Sequence, residues 1–218
     1  MKSEYVKKTD EIQKLVTAEV LSDYLRKGRL FNKRAGDVVS VIEFRIGRKY
    51  NDEDYMLSVI MGIYIPQPAT WSFNGIIEND KFYHEYECLI RTSIDHLQNI
   101  YSFKGYNDKF FDLNRESIKD ITAEICNVLT AKYFPGVEKL NTIEKMLKNS
   151  KKIVGELCEK SWWSINFELG YIFLYAAVGN MPKFTSEFQE YYNHTKMKKG
   201  NVKYLEELAK ELNILLQY

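Results

Sequence analysis

Between Tyr83 and Ile94 the chain reads YHEYECLIRTSI, which gathers a histidine, two glutamates, a cysteine and an arginine into one short stretch. Such a density suits acid, base or nucleophilic chemistry, provided the side chains meet on one side of the backbone. Read as a β-strand from Glu85 to Ile94, it splits them. Successive side chains alternate, so Tyr86, Cys88, Ile90, Thr92 and Ile94 point one way and Glu87, Leu89, Arg91 and Ser93 the other. Cys88 then falls among apolar neighbours, where a thiol acts as a small hydrophobe rather than a nucleophile. His84 precedes the strand. His96 and His194 stand apart from it in sequence, so no closely spaced zinc-ligand pattern arises. GxSxG, P-loop, HExxH and GxGxxG signatures are also missing from the sequence.

The same alternation assigns faces to the strands before it. Val38, Ile42, Phe44 and Ile46 oppose Val39, Val41, Glu43 and Arg45. Tyr55, Leu57, Val59, Met61 and Ile63 oppose Met56, Ser58, Ile60 and Tyr64. Aligning the mixed faces puts Glu43, Arg45, Ser58, Glu87, Arg91 and Ser93 on a surface that helices leave uncovered. Two outcomes follow. It is a solvated sheet face with Arg45 and Arg91 paired to Glu43 and Glu87, or it is a binding surface carried by Arg45, Glu43, Arg91 and Glu87. Trp71, in the long connection 66–83, is a further binding candidate. An enzyme would have to use Arg91, Arg45, Glu87 and His84 as its acid, base and anion-holding set, and would need a concave pocket beside Arg91.

The elements that position these residues follow from periodicity. Asp10 to Arg26 repeats its apolar residues at helical spacing, and Gly28 is a stop. RLFNKRAGDVVSVIEFRI is two strands around Ala35, Gly36 and Asp37, and Asp54 to Ile65 is a third strand closed by Pro66 and Pro68. The strand from Glu85 to Ile94 is the fourth. Ser117 and Asp120 have capping-box spacing ahead of a helix whose face carries Ile118, Ile121, Ile125, Val128 and Leu129 as far as Pro135. A helix from about 137 to 148 follows. The lysines of KNSKKIVGE mark a boundary, and beyond it the pattern is helical over 165–178, from Pro182 onward, and over 202–216.

Composition narrows the classes. The chain of 218 residues carries 31 Lys and Arg against 30 Asp and Glu, so its overall charge recruits neither nucleic acid nor an anionic membrane. The three cysteines, Cys88, Cys126 and Cys158, form neither a CxxC knuckle nor a disulfide framework, which suits reduced thiols in the cytoplasm. The N-terminus is polar where a secretory signal would be apolar. Ser161 to Asn180 has the length of a membrane span, but Asn166 and Glu168 interrupt it, and a core helix is the better reading.

GRLFNKRAGDVVSVIEFRIGR, YMLSVIMGIYIP, ECLIRTSI, DKFFDL and YFPGVEKLNTIEKML, in that order after a first helix, resemble a bacterial family, the domain of unknown function numbered 4304, over about residues 10–149. Cys88, Ile90, Arg91 and Ile94 match its C-x-I-R-x-R-I strand, with Ser93 where a second arginine is usual. Phe110 and Phe111 replace the tryptophans of its D-K-W-W pattern. The resemblance implies a fold and no chemistry. The expected architecture is α+β, a four-stranded and mostly antiparallel sheet with helices packed on one face, in a domain of residues 1–150. A helical extension, 151–218, packs on that domain. The expected function is a non-catalytic binding module, of immunity or regulatory type, for another protein or a small acidic ligand, with no cofactor and no metal.

Overall fold

The computed structural model describes residues 3–48, 55–66, 82–94, 97, 111–157 and 167–216. Trp71, His96, Phe110, Cys158, Trp162 and Trp163 lie outside them. The fold is α+β. Helix α1 (Glu4–Val20) is followed by strands β1 (Leu25–Lys27), β2 (Leu30–Ala35), β3 (Val38–Arg48) and β4 (Tyr55–Tyr64). After a 3-10 turn (Glu85–Glu87) come β5 (Ile90–Ser93) and β6 (Phe111–Asp112). Helices α2 (Ile118–Val128), α3 (Phe134–Glu138), α4 (Ile143–Leu157), α5 (Phe167–Ala177), α6 (Met181–Met197) and α7 (Lys203–Glu211) complete the described elements.

Among the described residues the sheet is antiparallel and has six strands, in the order β1-β2-β3-β4-β5 with β6 also on β4, rather than the four expected. Two of the differences have simple causes. The first helix stops at Val20, and Gly28, instead of ending a helix, takes φ +64° in the turn between β1 and β2. Strand β6 consists of two residues, Phe111 and Asp112, that lie opposite Leu57 and Met56. So distant a pairing leaves no local pattern. The hairpin around Gly36 is as expected, and Gly36 also adopts positive φ (+63°). Its tip docks on the start of α4, where Asp37 donates its N–H to Asn141 O at 2.9 Å and its carboxylate accepts from Ile143 N at 3.2 Å.

The core lies between the sheet and α1, α2 and the helices that follow. Val38, Ile42, Phe44, Leu57, Val59, Met61, Ile63 and Ile90 face Ile12, Val16, Ile121, Ile125 and Leu129. The alternation read from β3 and β4 holds throughout. Ser117 caps α2 as expected by accepting from Asp120 N at 3.1 Å. Pro135 does not end the helical backbone. Lacking an N–H, it cannot bond the carbonyl of Ala131, and a π turn over Leu129–Tyr133 absorbs the break.

That turn sends Tyr133 into the sheet. Tyr24 Oη lies 2.7 Å from Ser40 Oγ, and Ser40 Oγ lies 3.0 Å from Tyr133 Oη. Tyr133 donates to Gly62 O at 2.6 Å, with Val41 O at 3.2 Å. Burial holds both phenols above their ordinary pKa, so they remain neutral donors near pH 7. One proton direction, Tyr24 to Ser40 to Tyr133 to the sheet carbonyl, satisfies every member.

Helix α4 runs across the lysine-rich stretch and through residue 150. Beyond it, α5 has two buried sides. Tyr171 and Leu174 join the main core, and the Tyr171 hydroxyl donates to Leu147 O at 2.8 Å. Leu169, Ile172 and Phe173 join a second cluster with Phe184, Phe188 and Tyr192 of α6 and Leu205 and Leu208 of α7. No described helix is long and apolar enough to cross a membrane. Asn180 caps α6 ahead of Pro182 by accepting from Lys183 N at 3.2 Å.

Replacing Tyr133 by Phe removes the terminal donor of a buried chain and leaves the Ser40 hydroxyl without its acceptor. The Tyr133→Phe protein is expected to lose about 1–3 kcal/mol of stability in urea unfolding. A loss within a few tenths of a kcal/mol would show that the chain adds nothing.

Candidate functional site

The mixed sheet face exists, and register brings its members together. Glu43 lies opposite Leu30 and Ile60, Ile60 opposite Ser93, Arg45 opposite Ser58, and Gly62 opposite Val41 and Arg91. It is not a solvated face. Leu30, Val39, Val41, Tyr64 and Cys88 form a buried cluster there, against which Phe82 and Tyr83 pack. Ser58 and Ser93 are buried as well.

The cover is the segment 82–88. The Asn32 side chain, buried on β2, fastens it by donating to Tyr83 O at 3.0 Å and accepting from Tyr83 N at 2.5 Å. The Tyr83 ring stacks on Tyr64 with centroids 3.8 Å apart. The chain then enters the 3-10 turn in place of the first part of the expected strand. This shifts the parity of the stretch: Cys88 packs in the second-face cluster, whereas Leu89 packs toward the main core. The pleat reading holds for Ile90 to Ile94 and fails before it, because a 3-10 turn does not alternate.

Glu85 is the side chain that sequence reasoning passed over. It is 1% exposed and reaches both Arg45 and Arg91, forming an ion pair with each guanidinium. Arg45 Nε also meets Glu43 Oε1 at 3.1 Å. His84 Nδ1 lies 3.6 Å from Glu43 Oε2, an ion pair when the imidazole is protonated. Glu87 does not join Arg91. Its carboxylate folds back to accept from His84 N at 2.5 Å and so closes the turn on itself. Of the candidates, Glu43, Arg45 and Arg91 come together, Glu87 supports the turn that covers them, and Trp71 lies outside the described residues. The available signal was parity: in a strand read from Glu85 to Ile94, Glu85 shares a side with Glu87, Leu89, Arg91 and Ser93.

Burial pushes the Glu85 carboxyl above its ordinary value, while Arg91 and then Arg45 pull it down. The Cys88 thiol is also pushed up by burial, and Cys126 rises to about 12, so neither is a ready nucleophile. Both are free thiols. Among the described residues no cluster of His, Cys, Asp or Glu could hold a metal.

Among the described residues, the two guanidiniums of this group meet the two carboxylates of Glu43 and Glu85. Glu85 thus engages both arginines, and the arrangement fastens the turn to the sheet. Above the buried pair stands an exposed rim. Tyr86 is 61% exposed and stacks on His84 with centroids 5.2 Å apart, beside the half-exposed Arg45. No protein-family model matches the chain, and neither curated proteins nor solved structures give a match.

Gly62 is crowded by this cover. A Cβ there would stand 2.5 Å from Cys88 Sγ, 2.6 Å from Cys88 Cβ and 3.1 Å from Ile90 O. Gly62→Ala is expected to cost about 1–3 kcal/mol by overpacking. Cys88→Ala should not rescue it, because the 88 Cβ remains in the way. Full rescue in a double-mutant urea series would contradict this geometry.

Arg91→Ala leaves the buried Glu85 with one partner and is expected to lose about 3–5 kcal/mol at neutral pH. The pH sign follows from the raised carboxyl. A raised group favours the folded state below its unfolded pKa and loses that contribution as pH rises through its folded value. Removing Arg91 raises Glu85 further, so the deficit of the variant should shrink as pH falls toward the ordinary carboxylate range. Urea midpoints of both proteins across pH 4–7.5 check this, and a deficit that is constant or grows on acidification would contradict it.

Proposed function

We propose that the chain is a cytosolic, non-catalytic protein-binding module whose contact surface is the rim of the 84–87 turn, with Tyr86, His84 and Arg45 as its centre. The observation that carries this reading is Tyr86, a largely exposed aromatic on a turn whose backbone is pinned by a buried carboxylate. A rigid tyrosine beside an arginine is the side-chain pairing over-represented at interface hot spots. Because the turn is already ordered, binding pays little to fix it. Charge balance within the Glu43, Glu85, Arg45 and Arg91 group favours a protein partner over a small acidic ligand. Kinship with the bacterial family resembled by the sequence, and an immunity or regulatory role, belong to the same proposal.

A catalytic reading has one observation in its favour, the Glu43 carboxylate 3.6 Å from His84 Nδ1, where a base would need an orienting partner. It stands second because both arginines that would hold an anionic substrate are engaged by Glu85.

Affinity capture with the wild-type chain and with Tyr86→Ala tests the proposal. The variant should lose roughly 2 kcal/mol or more of binding to a stoichiometric partner, with an unchanged melting temperature. Equal recovery of that partner by both proteins would place the contact elsewhere.

A further inference from the structure

The overall charge of the chain is close to balance, at +1, but its distribution is not. From Tyr191 to Leu205 the sequence is YYNHTKMKKGNVKYL, with Lys196, Lys198, Lys199 and Lys203 and no carboxylate. The stretch covers the last turns of α6, the connection to α7 and the first residues of α7. All four lysines are exposed. Lys196 Nζ lies 5.8 Å from the Tyr192 ring centre, and Lys203 is 4.0 Å from Glu207 on an open surface. Between the lysines stands Met197, 75% exposed.

The backbone of this tip is fixed. Lys199 takes φ +54°, its N–H bonds Lys196 O at 3.0 Å, and the Gly200 N–H bonds Thr195 O at 2.9 Å. That is the closed C-terminal turn of a helix, made here with a lysine in the left-handed position where glycine is usual. Below it, Tyr192, Leu205 and Leu208 are packed in the helical cluster. The lysines and Met197 are therefore displayed by a folded support rather than by a loose loop.

We propose that this tip is a peripheral docking surface for anionic phospholipid. Four lysines at the end of a helical pair supply the charge that a phosphatidylserine-containing surface attracts. Met197 supplies an unbranched apolar side chain that can enter the headgroup region among them. A nucleic acid fits less well. The stretch holds no arginine, Tyr192 is buried and Tyr191 half-buried, and Tyr204 alone offers a partly exposed ring, short of a row of stacking platforms. The docking is local and superficial, and the proposal is independent of the binding rim at Tyr86.

Co-sedimentation with phosphatidylcholine vesicles, with and without phosphatidylserine, tests it on the whole chain. The wild-type protein should sediment only with the anionic vesicles, and less so as salt is raised. The double variant Lys198→Glu/Lys199→Glu should bind roughly tenfold more weakly or worse, and Met197→Ser should bind a few-fold more weakly. Lys7→Glu/Lys14→Glu on α1 alters net charge equally at exposed positions and should bind as the wild type does. Circular dichroism of each variant verifies folding, since every altered side chain is exposed. Absence of binding to anionic vesicles, equal binding to neutral ones, an unaffected α6–α7 double variant, or an equal loss in the α1 control would each overturn the proposal. So would binding to single-stranded DNA or polyglutamate without binding to vesicles.

Discussion

A carboxylate that cannot reach water holds the second face of this protein together. Glu85 projects from a short turn into the space above the sheet, and Arg45 and Arg91, on two different strands, meet it there. Burying one charge is unfavourable, and burying a charge with partners on separate elements is tolerable only if those elements keep their places. The ion pairs thus act less as a source of stability than as a condition on geometry. Turn, β3 and β5 must stand in this arrangement or leave a charge stranded. Everything exposed above Glu85, including the stack of His84 and Tyr86, inherits its position from that condition.

The helix side of the sheet is held differently. There the bulk is apolar, and specificity comes from one thread of hydroxyls through Tyr24, Ser40 and Tyr133. The thread exists because the helix before Pro135 widens into a π turn rather than stopping. On one face, neutral donors select a register for the helices. On the other, paired charges select a place for a turn. The C-terminal helices join this frame through α5, whose Gly170 lets Leu89 occupy the position a Cβ would take. The residue just after Cys88 therefore touches the helical extension directly.

What the sequence made legible was whatever depends on period. The alternation of β3 and β4, the Gly36 hairpin, the Ser117 cap and the start of α6 at Pro182 all follow from local rules, and the mixed face with Glu43, Arg45 and Arg91 was reached by parity alone. Parity failed where the backbone stopped alternating. The residues from Glu85 to Glu87 share the composition of a strand but form a 3-10 turn, so Cys88 after it changed sides, Glu87 turned back on its own backbone and Glu85 found the partners assigned to Glu87. The Asn32 clamp on Tyr83 and the β6 pairing join residues far apart in the chain. No local pattern announces such meetings, because their energy is realised only after the intervening chain has folded.

Gly62 stands where the two systems come closest. Its carbonyl accepts the hydrogen bond of Tyr133 from the helix layer, and the space over its α-carbon is filled by Cys88 from the turn layer. At this point the partition between the layers is the thickness of one peptide backbone. Positions 62 and 88 consequently cannot drift independently among descendants of this sequence. Any residue with a Cβ is admissible at 88 only while 62 carries no side chain, and an alanine at 62 requires a withdrawal at 88 that the turn, anchored through Glu85, has little freedom to make. Homologues that keep the arginine pair should therefore show glycine at the first position, and those that lose it should be the ones in which 62 and 88 vary.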